Sequence, residues 1–194
     1  MPYKPGSGGK SWLGYKPSRI VSVTSPESKF DDQEVNLAFE ILTEESDFPR
    51  TYFISGKFDR EADGNIKSCS LLNKLNNIFE TIGYKGGVNI KGDWVDENDV
   101  PVENIIAEIN RLLPSSGWPH YTYSYQAEPK KPGDKPPTRL ATRVFPNNEK
   151  GRAALENFVK FMKSNGWLKE FKPSDSPKSA VPQSNLGLGD KPPF

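Results

Sequence analysis

Histidine and cysteine are nearly missing from this 194-residue chain, which has one of each, His120 and Cys69. A single cysteine allows no internal disulfide and no paired-cysteine metal knuckle, and it suits a reducing compartment such as the cytoplasm. With a single histidine, Ser-His-Asp or Cys-His catalysis would have to pass through His120, beside Pro119 at the start of a β-prone run, and no catalytic residue is assigned. Long hydrophobic runs are missing as well: the opening segment has charge but no apolar stretch, so neither a signal peptide nor a membrane span is expected. Charge of one sign is not in excess, because 26 basic residues stand against 25 acidic ones, and the net +1 does not select a polyanionic partner. Glycine-rich phosphate loops are lacking too, since Gly83, Gly86 and Gly87 are not followed by the Lys-Ser/Thr that engages phosphate and metal. No motif calls for a cofactor.

What the chain does have is segregated. Lys4, Lys10, Lys16 and Arg19 precede the first acid, whereas residues 26 to 50 hold eight acids against Lys29 and Arg50. Apolar residues cluster between Arg19 and Phe171, enough for one domain. Residues 1 to 18 mix Gly, Pro, Ser and Lys with Tyr3, Trp12 and Tyr15 and are expected to form a flexible arm; residues 172 to 194, rich in Pro, Ser and Gly, are expected to be a disordered tail.

Inside the domain the apolar period changes along the chain. Arg19–Thr24, the alternating Val35, Leu37, Phe39 and Ile41, and Thr51–Phe58 predict strands, the last two joined as a hairpin. Leu71, Leu75, Ile78, Phe79 and Ile82 recur at helical spacing, which predicts a helix over Ser70–Ile82 stopped by Gly83. Val88–Trp94 reads as a short strand, and Val102–Leu113 as a helix capped by Asp99 and ended by Pro114. His120–Ala127 and Thr138–Phe145 read as arms of a long hairpin around the Pro- and Lys-rich loop 128–137, and a last helix runs from the cap Asn148 to Gly166. The pattern predicts a β-rich α+β domain over 19–171 with two or three helices.

Binding chemistry stands out more than catalytic chemistry. Asp93, Asp96, Glu97 and Asp99 are the one dense carboxylate cluster, but they lack the spacing of a calcium loop and fit a solvated turn; no metal ligand is assigned. An enzyme using them with a divalent ion is a rival reading. Single-stranded nucleic acid is held by cations along its phosphates and by aromatic faces against its bases. Two stretches offer that pairing: Tyr52, Phe53, Lys57 and Arg60, and Tyr121, Tyr123, Tyr125, Lys130, Lys131, Lys135, Arg139 and Arg143. On a regular strand Arg139 and Arg143 would share one face about 13 Å apart. The same tyrosine alternation also fits packing against a helix, which would leave the lysines as solubilising charge. The acidic stretch from Glu27 to Asp47 is compatible with a polyanion only if it lies away from these cations.

The segments VNLAFEIL (Val35–Leu42), RTYFISGKF (Arg50–Phe58), LLNKLNNIFETIG (Leu71–Gly83) and TRLATRVF (Thr138–Phe145) together resemble an uncharacterised phage family grouped as single-stranded DNA-binding proteins. The resemblance spans residues 19 to 146 and implies an OB-like barrel and an accessory role in phage DNA replication or recombination in the host cytoplasm. The Pro-Lys loop and the helix after Asn148 depart from that pattern. The end GDKPPF resembles the partner-docking tip of single-strand binding proteins, which implies that Asp190 and Phe194 contact replication or recombination proteins. A protein-interaction module, a virion or host-takeover factor without nucleic-acid affinity, is the alternative.

Overall fold

The computed structural model describes residues 13–27, 33–131 and 133–171. Most of the predicted arm, the tail from Lys172, and Asp190 and Phe194 lie outside these residues. In chain order the elements are β1 (Gly14–Thr24), β2 (Val35–Thr43), β3 (Arg50–Gly56), α1 (Ser70–Ile82), β4 (Gly87–Val88), β5 (Trp94–Val95), α2 (Ile105–Leu112), β6 (His120–Gln126), β7 (Thr138–Leu140), β8 (Phe145–Pro146) and α3 (Glu149–Ser164). The result is a β-rich α+β fold with three helices among the described residues. No helix among them is long and apolar enough to cross a membrane.

Six strands form one antiparallel sheet in the order β3-β2-β1-β6-β7, with β8 pairing β6 beyond β7. The sheet is not closed into a barrel: β3 and β7 end its order and do not pair with each other. β1 starts at Gly14, not at Arg19, so part of the predicted arm is strand. Its first half, Gly14–Ser18, pairs with Ser124–His120, and its second half pairs with β2. Tyr15 explains the early start, because its ring packs 4.5 Å from that of Tyr123, centroid to centroid. A register shift between Ile20 and Ser22 bends β1 where it passes from one partner to the other.

β6 begins at His120, opposite Ser18, so β1 has no strand partner beyond that point on this edge, and side chains satisfy the groups of Ile20 and Val23. Asn110 of α2 accepts from the Val23 amide at 3.0 Å and donates to the Val23 carbonyl at 2.8 Å. The buried His120 accepts from the Ile20 amide through Nδ1 at 3.3 Å. The lone histidine therefore acts as a structural acceptor, and burial pushes its pKa down to about 4. The unfolded chain binds a proton there below about pH 6.5 and the folded chain does not, so this contribution is complete above about pH 6.5 and is lost as the pH falls through about 4. Over that window it amounts to about 3 kcal/mol. Urea unfolding of the wild type and His120→Asn at a series of pH values checks this: the difference in acid sensitivity should fall within the window, and parallel acid limbs would contradict it.

Two hydrophobic clusters lie on opposite faces of the sheet. The larger joins Ile20, Phe39, Ile41 and Ile54 to Leu75, Ile78 and Phe79 of α1 and Ile105 and Ile109 of α2. Each such fully buried side chain contributes about 1.5–3 kcal/mol. Helix α1 has the predicted bounds; its cap is Cys69, whose Sγ accepts from the Leu72 amide, and Gly83 takes the left-handed conformation, φ 77°, that stops it. The smaller cluster joins Tyr123 and Ala141 to Leu155, Val159 and Leu168 under α3. α3 can sit that close because Gly151 has no side chain: a Cβ there would lie 2.0 Å from the Pro146 carbonyl oxygen.

Three local expectations are corrected. Val88–Trp94 is not one strand but the β4–β5 hairpin, turned by Asn89, whose Oδ1 accepts from the amides of Lys91, Gly92 and Asp93. Asp99 does not cap α2; it sits at φ 63° in a turn where Asp96 Oδ1 accepts from the Asn98 and Val100 amides. The helix starts later, capped by Asn104. The hairpin arm Thr138–Phe145 is interrupted, because residues 142–144 leave β6 for other partners. The Val144 amide donates to Asn77 Oδ1, Thr81 Oγ1 donates to the Val144 carbonyl, and the Tyr52 hydroxyl donates to the Thr142 carbonyl.

Candidate functional site

Alternation along β3 separates the first predicted stretch into inward and outward residues. Tyr52 points inward, 7% exposed, and its hydroxyl holds the Thr142 carbonyl at 2.7 Å. Burial raises its pKa well above the ordinary tyrosine value. Phe53 points outward and is 56% exposed, and Lys57 is exposed just past the strand. Arg60 is turned inward to structure: it pairs with Glu34 and donates to the carbonyls of Gly64 at 2.8 Å and Lys91 at 3.0 Å. Tyr52 and Arg60 are therefore framework residues, a correction of their predicted role, while Phe53 and Lys57 remain available.

The tyrosine row is corrected more fully. Tyr121, Tyr123 and Tyr125 pack on the α3 side of the sheet, where Tyr123 is only 7% exposed. The Tyr123 hydroxyl donates to Glu170 and accepts from Lys163 Nζ at 3.0 Å; burial first, and then the Glu170 bond, raise its pKa. Arg152 lies 5.2 Å from the centre of the Tyr121 ring and covers it. Tyr125 is half-buried, with its ring 6.2 Å from that of Tyr123. A base cannot reach Tyr123 without displacing α3, so the packing alternative describes this row.

The cations of the second stretch fare differently. Lys130, Lys131, Lys135 and Arg139 are exposed. Because the chain leaves the ladder after Leu140, Arg139 and Arg143 do not form one row on a regular strand. They line two adjoining cavities instead. The first, about 630 Å³, lies between the unpaired edges of β3 and β7 and is lined by Arg50, Phe53, Thr138, Arg139 and Leu140 among others. The second, about 540 Å³, shares Thr142 with the first and lies between the start of α1 and α3, against Lys74, Arg143, Phe158, Phe161 and Trp167. No Asp or Glu lines either one. Of the acids in the Glu27–Asp47 stretch, Glu34 pairs with Arg60 and Glu45 with Lys16, while Glu40 accepts from Thr51 on the cleft wall.

Arg50, Lys74, Phe161 and Trp167 were missed as site residues from sequence. A signal existed for Phe161, which lies off the face shared by Leu155, Phe158, Val159 and Met162 and is 53% exposed. The carboxylate cluster does not converge. Asp93 accepts from Asn89, Asp96 shapes its turn and Glu97 pairs with Lys85. Among the described residues no three histidine, cysteine or carboxylate side chains form a group that could hold a metal ion.

No family model, curated protein or solved structure matches the chain.

Proposed function

We propose that this protein binds single-stranded DNA in the cleft between β3 and β7, as a non-catalytic accessory protein of phage replication or recombination. The observation that carries the proposal is the cleft itself, whose wall has Arg139, Arg50 and a half-exposed aromatic ring, Phe53, and no Asp or Glu, between two unpaired sheet edges. Arg139 holds phosphate and Phe53 offers a stacking face, a combination that tolerates any base. Lys130, Lys131 and Lys135 add positive charge on the loop that joins β6 to β7, next to Arg139.

An OB-like reading is supported by strand order. With β7 and β8 taken as one interrupted strand, β1 stands between β2 and β6 and the path has five strands, as in the partly open Greek-key barrel of OB folds. In such folds the face of strands 2 and 3 and the loop between strands 4 and 5 contact oligonucleotides. The matching parts here are the β2–β3 face with Phe53 and the Pro-Lys loop. Resemblance to the phage family agrees with this reading and supplies its biological setting.

Fluorescence anisotropy with labelled oligo-dT and with a duplex of the same length tests the proposal. Single strands should bind at low salt and more tightly than duplex. A protein-interaction module would show no affinity for either DNA, with salt-insensitive binding to a protein partner.

A further inference from the structure

The second cavity continues the first, and its chemistry is of the same kind. Thr142 lines both. Beyond it, Lys74 of α1 and Arg143 stand beside Phe158, Phe161 and Trp167, with no acid among the lining residues. Arg143 lies 4.9 Å from the centre of the Phe158 ring, which keeps the guanidinium near the cavity wall. Phe161 and Trp167 meet edge to face, ring centres 5.5 Å apart, and both are more than half exposed. An exposed pair of large rings beside two cations makes little sense as packing: the buried face of α3 is already filled by Leu155 and Val159, and Gly166 carries the chain through a left-handed turn before Trp167.

We infer that this pocket is a second subsite for the same polymer: a strand held between β3 and β7 continues past Thr142 and stacks a base on the Phe161–Trp167 pair, with Lys74 and Arg143 on its phosphates. The inference rests on the single-strand reading of the cleft and adds to it a binding path that leaves the sheet for a helix. Charge and ring chemistry choose this occupant, because an acid-free wall of cations and aromatic faces is what an extended polyanion with flat bases requires. The path from cleft to pocket makes affinity depend on strand length.

The test uses the full chain and oligo-dT of two lengths, about 4 and about 12 nucleotides, within the range that one OB fold covers. The fluorescence difference between the wild type and Trp167→Phe reports on this tryptophan against Trp12, Trp94 and Trp118. The longer strand should quench the Trp167 signal, and Trp167→Ala should lower its affinity about tenfold. The shorter strand should occupy the cleft with little quenching and bind Trp167→Ala as it binds the wild type. If both lengths bind but neither quenches Trp167 and the variant matches the wild type at each length, the subsite is overturned while the cleft reading stands. If the short strand already quenches Trp167 as fully as the longer one and loses affinity in the variant, the pocket is the primary site and the extension is wrong. If neither length binds the wild type at low salt, the cleft reading fails and the subsite falls with it.

Discussion

Phe53→Ala is expected to weaken oligo-dT binding by about 1 to 3 kcal/mol, the usual worth of one stacked base, without lowering stability. The second half of that expectation follows from exposure: the ring is 56% accessible on an outer face, so its removal leaves no core cavity. Arg139→Ala should behave differently. It removes one phosphate contact, so it should reduce the salt slope by about 0.7 and weaken binding to every single strand alike. Anisotropy titrations across salt on both variants, with melting curves as the control, separate the two contributions. A Phe53→Ala protein that binds like the wild type would remove the stacking half of the mechanism.

The largest effect on stability is expected at a residue that sequence pattern offers as a binding group. Tyr123→Ala should cost about 3–5 kcal/mol, the range for truncating a large buried ring. The ring packs on Tyr15 at 4.5 Å between centroids and belongs to the cluster under α3. Tyr123→Phe keeps the ring and loses only the hydrogen bonds to Glu170 and Lys163, so it should bind oligo-dT as the wild type does. Denaturant unfolding of both variants, with binding measured on Tyr123→Phe, checks this. A stable Tyr123→Ala protein with weakened binding would return the tyrosine row to the site.

The contrast between Phe53 and Tyr123 shows what periodicity can and cannot say. Alternation places Tyr121, Tyr123 and Tyr125 on one face of a strand, but whether that face meets solvent or a helix is a tertiary fact, decided here by α3, which begins at Glu149, well further along the chain. Helices α1 and α3 were legible because their ends carry local signals: Gly83 in a left-handed conformation, and Asn148, whose Oδ1 accepts from the Gly151 amide. The start of α2 was not, because Asp99 and Asn104 are both plausible caps and the choice falls to a turn built around Asp96. Barrel closure was beyond local pattern altogether, since it depends on whether β3 and β7, about eighty residues apart in sequence, form a ladder. The cleft was half legible: Phe53 and Arg139 stand out in the sequence as chemistry, but Arg50 joins them there, and Lys74 and Trp167 join Arg143 on the far side of Thr142, only when the chain folds.

Charge is the property on which the whole account turns, and the salt dependence of oligo-dT binding by the wild-type protein measures it most directly. With Arg139 and the three loop lysines on the phosphates, the logarithm of affinity should fall against the logarithm of salt concentration with a slope of about −3. Absence of binding at low salt, or binding that salt leaves unchanged, would contradict the account.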